Sequence, residues 1–272
     1  MDYMNEINSK IMLFVKFGEE RHIRRLFGGR IFFSNATKFR GIEKKTGLKG
    51  QGDAFEGFIQ FKNSYAAMTD HCADLSIGYP DITITLGLAD VQNIPIFCIT
   101  CISADDCEMY QRNGKLIIAA SRALKNTITT HFPKADTVGV FFEPQRFLNS
   151  FNTLGITFHS RVKYFDFSPN GSIKEMIEYI AQKPGNISKQ NRLLFPMCIE
   201  IDGKICKYLS ITEQNMKRVL LCKDRYFLGE KEYRIILPQK RIFASKEYTI
   251  RWGNQKRKMC TIDEFFNGIE LL

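Results

Sequence analysis

The run Ile94 to Ser103 (IPIFCITCIS) constrains the fold most. Its length and unbroken apolar character read as a buried strand, which belongs inside a packed core. Thr137 to Phe142 (TVGVFF) reads the same way, and the 23 Phe of the 272-residue chain supply ample core material. Lys10 to Phe17 (KIMLFVKF) is a further stretch of strand formers, followed by Gly18-Glu19-Glu20, whose acidic residues suit a helix N-terminus. Ile23, Leu26 and Phe27 are spaced as one helical face, Gly28-Gly29 stops that helix, and Arg30 to Ser34 (RIFFS) begins another strand. The first 34 residues therefore read as strand, helix, strand.

Further along, the pattern is more varied. Residues 35–57 are polar and glycine-rich, carry Lys44, Lys45 and Lys49, and read as an exposed, basic, mobile loop. Helical patterning between Glu108 and Thr130 is weaker, and Leu154 to Phe167 alternates as a strand. Ser172 with Glu175 forms a capping box, and Ile173, Met176, Ile177 and Ile180 repeat at helical spacing until Lys183-Pro184-Gly185. A second helix is expected over Thr212 to Leu221, then the segment Cys222 to Leu237, then a strand pair through Ile250. No linker, repeat or low-complexity tract interrupts the chain, so one domain spanning residues 1–272 is expected.

With 44% hydrophobic and 25% charged residues, extensive disorder is excluded. The apolar run Ile11 to Val15 stops at Lys16, far short of a signal-peptide core or membrane span, so a soluble, cytoplasmic protein with no membrane partner is expected. Eight Cys are spread through a chain large enough to fold without staples, which suggests free, mostly buried thiols. The net charge of +10 is uneven. Residues 1–50 hold 11 Lys+Arg and 5 Asp+Glu (net +6), residues 231–260 hold 9 and 2 (net +7), and residues 51–150 hold 7 and 11 (net −4). If folding joins the two basic ends, they form one positive surface suited to phosphates; a merely solvated basic face is the equal alternative.

Glu230, Glu232 and Arg234 lead into an apolar stretch. In a strand, residues two apart share a face, so these three would point one way while Tyr233, Ile235 and Leu237 point into the core. Two carboxylates so placed can divide their labour: one stays ionised beside developing positive charge, while the other accepts a proton or hydrogen bond. The same spacing suits a surface strand with both glutamates solvated and Arg234 paired to a neighbour.

Glu230-Lys231-Glu232, preceded by Arg225-Tyr226-Phe227-Leu228-Gly229, resembles the Glu-x-Glu signature and adjoining turn loop of ADP-ribosyltransferases. The string Lys223 to Ile235 (KDRYFLGEKEYRI) is similar to the C-terminal signature of a bacterial group of that fold found among phage-defence and toxin-antitoxin genes. Phe14 to Gly18, Gly29 to Ser34, Asp53 to Gly57, the strand ending at Ser103, and Val162 to Asp166 fall in the order that group shows. The resemblance implies an α+β fold, with an ADP-ribosyltransferase-like split, mixed β-sheet core and flanking helices. It implies mono-ADP-ribosyl transfer from NAD, with Glu232 as the catalytic glutamate on the ribose 2'-hydroxyl and Glu230 on the acceptor side. Tyr226 or Phe227 would face the acceptor, since a base stacks well on either ring.

Where the family usually carries Arg or His at the end of the first strand, this chain has Lys16; Arg21 and His22 are the nearby substitutes. The Ser-Thr-Ser type signature is matched in part by Thr100 with Ser103 or by Ser34 with Thr37. Lys16, Ser34, Ser103 and Tyr226 are thus the expected NAD contacts. The basic ends tilt the acceptor toward RNA or single-stranded DNA, and the resemblance implies an antitoxin or other inhibitor as partner. A non-catalytic nucleic-acid-binding protein on this scaffold and an NAD glycohydrolase are the alternatives.

Two other constellations carry less. Asp53 and Glu56 suit either a loop over the NAD site or an acidic helix start, and no further clustered carboxylate supports a metal nuclease. Cys98 and Cys101, inside an apolar strand, would point to opposite faces, which argues for buried thiols over zinc; no metal is expected.

Overall fold

The computed structural model describes residues 11–46, 56–70, 75–86, 89–167, 175–176, 179–180, 193–201, 204–212 and 217–271. The first half of the chain forms β1 (Leu13–Gly18), α1 (Glu20–Phe27), β2 (Arg30–Phe33), α2 (Ala36–Thr46), β3 (Ile59–Asp70), β4 (Leu75–Leu86), α3 (Ala89–Gln92), β5 (Ile96–Ile102), β6 (Cys107–Arg112), β7 (Lys115–Ala120) and α4 (Arg122–His131). The second half forms β8 (Thr137–Phe141), α5 (Pro144–Ser150), β9 (Phe158–Arg161), β10 (Lys163–Phe165), β11 (Leu193–Ile201), β12 (Lys204–Thr212), β13 (Cys222–Asp224), β14 (Glu232–Ile236), β15 (Lys246–Thr249), β16 (Arg257–Thr261), α6 (Ile262–Asn267) and β17 (Ile269–Glu270). Two compact units result: Met1–Ala54, Asn93–Val162 and Tyr226–Leu272 make the first, Phe55–Gln92 and Lys163–Arg225 the second.

The first unit is built on a six-stranded sheet ordered β16-β8-β1-β5-β14-β9. Every neighbouring pair in it is antiparallel, where a mixed sheet was expected. Alternation along β1 sends Phe14 into one core with Phe97, Ile99, Tyr233 and Ile235, and Leu13, Val15 and Phe17 into another with Val138 and Val140. Helix α1 and helix α5 cover the first face with Leu26, Phe147 and Leu148. Helices α4 and α6 cover the second with Leu124, Ile128 and Phe265. Because both faces are buried, the strands read as unbroken apolar runs. Each fully buried Phe contributes about 1.5–3 kcal/mol, so Phe14, Phe141, Phe147 and Phe151, all at 0% exposure, dominate the first core.

The expected strand, helix, strand at the start of the chain is β1, α1, β2. Helix α1 buries Ile23 and Leu26, and the Trp252 indole N–H donates to the Leu26 carbonyl at 2.7 Å near its end. Gly29 then turns the chain with φ +81°, and a Cβ there would collide with the Ile250 carbonyl oxygen. That close approach joins the chain ends: β2 pairs with β15 in the register Phe33↔Lys246 to Arg30↔Thr249. The strand reaching toward Ile250 is therefore partnered by β2.

Residues 36–46, expected as loop, are helix α2. The signal is Asn35, whose side-chain oxygen accepts from the Lys38 backbone N–H at 2.9 Å as an N-terminal cap. Asp53 and residues 47–55 lie outside the described residues, while Glu56 is buried in the second unit. The weakly helical stretch from Glu108 is in part a hairpin: β6 and β7 meet at Asn113 (φ +53°) and Gly114 (φ +74°), the left-handed pair that a tight hairpin turn demands. Leu154 to Phe167, expected as one strand, holds β9 in the first unit and β10 in the second.

In the second unit β3 pairs with β4 and β11 with β12, both antiparallel, and β10 pairs with β13 in parallel. The helix expected from Ser172 lies largely outside the described residues; Met176 and Ile180 are helical and buried. In the region expected as the second helix, Thr212 ends β12 and helical backbone occupies 217–219. Among the described residues, Cys98, Cys101, Cys107, Cys222 and Cys260 are free thiols, and no helix is long and apolar enough to cross a membrane.

Candidate active site

Glu232 opens β14, on a strand flanked by β5 and β9. Thr100 of β5 lies directly opposite Glu232 on one side and Val15 of β1 on the other. Arg234, two residues on, shares the Glu232 face as the alternation requires, and its Nε donates to Glu232 Oε1 at 2.5 Å. Both side chains are buried, Arg234 at 1% and Glu232 at 7% exposure. For Glu232 and Arg234 the expected division is observed, with Tyr233, Ile235 and Leu237 in the core. The two charges answer each other, because separating either from its partner leaves an uncompensated charge in low dielectric.

Cys98 lies opposite Arg234 on β5. Burial, reinforced by the Glu232 carboxylate, pushes its thiol well above the ordinary range, so the S–H stays protonated and donates to Glu232. The paired register between β1 and β5 ends at Val15↔Thr100, and just beyond it Lys16 Nζ donates to the Cys98 carbonyl at 2.7 Å. Lys16 also sits 5.4 Å from the Phe97 ring centroid. Val15, Thr100 and Glu232 thus lie in register on one face, whereas Lys16, the next residue of β1, shares the opposite face with Phe14 and Phe97, so the expected NAD contact Lys16 does not join Glu232.

Glu230 does not share this strand. It ends the 3₁₀ turn Arg225–Glu230, and Lys231, at φ +47°, breaks the alternation between the two glutamates. A non-glycine residue in the left-handed region costs on the order of 1–3 kcal/mol. Lys231 is held there from several sides: its Nζ pairs with Asp106, and its carbonyl accepts from the Cys101 N–H at 2.9 Å. Glu230 is buried beside His131, Oε1 to Nδ1 at 3.6 Å, at the C-terminal end of α4. Gly229 is what lets the turn lie so close, since a Cβ there would stand 2.8 Å from the Thr127 side chain. Tyr226, half exposed, meets the His131 ring edge-on at 5.6 Å, and Phe227 is fully buried.

Ser103 follows β5. Its hydroxyl and backbone N–H both donate to Asp106, at 2.8 and 2.9 Å. Burial alone would raise the Asp106 carboxyl, but hydrogen bonds from Lys231 and Ser103 outweigh it and hold it below its ordinary 3.8. Ser34 is at the other end of the same strand, bridged to Ile96. Seven residues at about 3.3 Å each separate these ends by roughly 23 Å, so Ser34 and Ser103 do not belong to one contact set. Ser34 instead faces Ser245, oxygen to oxygen at 3.4 Å. Arg21 and His22 are exposed on α1, and Arg21 pairs with Glu19.

Three participants escape sequence reasoning. His131 and Cys98 are recruited by packing alone. Arg161, the last residue of β9, lies opposite Tyr233 at the end of the sheet where β14 begins. Its Nε and Nη2 are buried without a hydrogen-bond partner among the described residues, a shortage that a phosphate or carboxylate would satisfy. Burial pushes the neighbouring Cys101 thiol up to about 11, opposed by the Arg161 charge. Among the described residues no group of three or more His, Cys, Asp or Glu is placed to hold a metal ion.

No protein-family model, no curated protein and no solved structure matches this chain. Its chemistry is therefore read from its own residues.

Proposed function

We propose that the chain is an NAD-dependent mono-ADP-ribosyltransferase acting on nucleic acid, RNA or single-stranded DNA, as a toxin of a toxin-antitoxin or anti-phage system and so subject to a protein inhibitor. The observation that carries this reading is the buried Glu232 carboxylate on β14, fixed by Arg234 and directly opposite Thr100 of β5. Breaking the bond between nicotinamide and ribose develops positive charge on the sugar. A carboxylate held in place by Arg234 and Cys98 stabilises that charge without reorganising, and gains most in the transition state. Lys16, a point charge already engaged with a carbonyl, lacks the fork that would grip the NAD phosphates. Glu230 with His131 is the pair available to accept a proton from the incoming nucleophile.

The test is transfer of label from NAD to separate pools of RNA, DNA and protein. Glu232→Gln keeps the shape of the side chain, and its amide oxygen can still accept from Arg234. We expect transfer to fall at least about 100-fold, the scale of losing one preorganised electrostatic contact, while the unfolding curve shows the variant still folded. Absence of transfer to every pool, or transfer unchanged in the variant, overturns the reading. Nicotinamide release without a labelled macromolecule would identify a glycohydrolase.

A second reading draws on the same residues. Glu232 is already engaged by Arg234 and Cys98, and Lys16 by a carbonyl, as in a scaffold that binds nucleic acid without chemistry. Calorimetric titration with NAD separates the two, since a pure binder gives no heat with the dinucleotide.

A further inference from the structure

The joined basic ends present a second cluster, remote from Glu232. Lys38 Nζ donates to the Ser245 hydroxyl at 2.7 Å, and Lys240 and Lys246 lie 4.8 and 5.6 Å from the centre of the Tyr248 ring. Among the described residues no carboxylate pairs with any of these three lysines. The acid nearest in sequence, Glu247, is turned to the other face of β15 and bound to Arg25 at 2.8 Å. Between Lys240 and Lys246 in the sequence, Phe243 stands 87% exposed, while its neighbour Ile242 is buried. The backbone carrying that ring is pinned on two sides: the Ile242 N–H donates to the Asn93 carbonyl at 2.8 Å, and the Asn35 side chain donates to the Ile242 carbonyl at 2.6 Å. A large ring held out in water by a fixed backbone, three residues from Lys240 and three from Lys246, suits a ligand with flat apolar faces and regularly spaced negative charge.

We infer that Lys38, Lys240, Phe243, Ser245, Lys246 and Tyr248 form a docking surface for single-stranded nucleic acid. Phe243 stacks on a base, the lysines take phosphates, and the Ser245 hydroxyl adds a hydrogen bond to a phosphate oxygen. A duplex keeps its base faces stacked and offers Phe243 nothing, so a single strand is the better occupant. Ser34 touches this cluster through Ser245 and is bridged to Ile96, four residues along β5 from Thr100, the partner of Glu232. At about 3.3 Å per residue that is roughly 13 Å along the strand. The inference rests on the nucleic-acid half of the proposed function and not on its NAD half.

The test is fluorescence anisotropy of labelled 20-residue oligo(U) and oligo(dT) strands with the full chain, without NAD, across a series of salt concentrations. Wild type is expected to bind both. Lys38→Ala/Lys240→Ala/Lys246→Ala should flatten the slope of log affinity against log salt by about 2, at about 0.7 per lost phosphate contact. Phe243→Ala should weaken binding roughly 5- to 150-fold, and Phe243→Tyr should restore it. Thermal unfolding midpoints close to wild type show that the variants fold. Wild type that binds both strands but transfers no label from NAD rejects the proposed transferase alone. Absent binding, an unchanged salt slope in the triple variant, equal affinity for duplex, or equal competition by polyglutamate overturns the docking surface.

Discussion

The Glu232 cluster and the Lys38–Lys246 cluster are both made of charged residues in one unit, yet they have opposite economies of contact. Around Glu232 the charges are answered, and the innermost pair is buried: Arg234 by Glu232, Lys231 by Asp106, Lys16 by a carbonyl. On the ribbon of β2 and β15 the lysines meet a hydroxyl and an aromatic ring, and water. Burial forces pairing, because an unanswered charge in low dielectric is prohibitive; exposure lets charge stay uncommitted and available to a ligand. Arg161 departs from this rule, with buried Nε and Nη2 donors that have no hydrogen-bond partner among the described residues.

The largest effect that can break the comparison is on Arg234. Arg234→Met strands the Glu232 carboxylate and should destabilise the fold by about 3–5 kcal/mol. In chemical denaturation, adding Glu232→Gln to that variant should recover much of the loss; strictly additive losses would mean that the two side chains are not coupled. Gly29→Ala comes next. Its left-handed backbone and the Ile250 carbonyl in the way predict a loss of about 1–3 kcal/mol, read as a lower melting midpoint with weakened β2–β15 pairing.

Tyr233→Phe removes the hydroxyl that lies 2.8 Å from His159 Nδ1 and should cost about 1 kcal/mol. The same contact bears on pH. Burial lowers the His159 pKa below 6.5, so the folded state resists charging it. That contribution is complete above pH 6.5 and is lost as pH falls through the depressed folded value. Asp106, also depressed, adds a second loss only below pH 3.8. Stability measured against pH should therefore fall in two stages, and Asp106→Asn should remove the lower one. The smallest effect belongs to the ribbon: Lys246→Ala should change stability by no more than about 0.5 kcal/mol, since nothing buried depends on it.

Much of the first unit was legible because burial on both faces leaves long apolar runs, as in β1, β5 and β8. Strand β14 was legible for another reason: its i, i+2 pattern separates Glu232 and Arg234 from Tyr233 and Ile235. Helix α2 and the β6–β7 hairpin depart from expectation although their signals, the Asn35 cap and Asn113-Gly114, are local and present in the sequence. Position 231 could not be foreseen, since its left-handed backbone is stabilised by Asp106 and Cys101, more than 100 residues away in the chain. For the same reason Glu230 falls outside the strand that its spacing suggests, while Ser34 and Ser103 are parted by the length of β5. Partners such as His131, Cys98 and Arg161 arise from tertiary packing, on which a one-dimensional pattern is silent.

The most direct measurement is nicotinamide released from NAD by purified wild type and by Glu232→Gln at matched folded fraction, with single-stranded RNA present. The account predicts release by wild type, ADP-ribose appearing on the RNA, and at least about 100-fold less of both in the variant. No release by the folded wild type, or equal release by the variant, would contradict it.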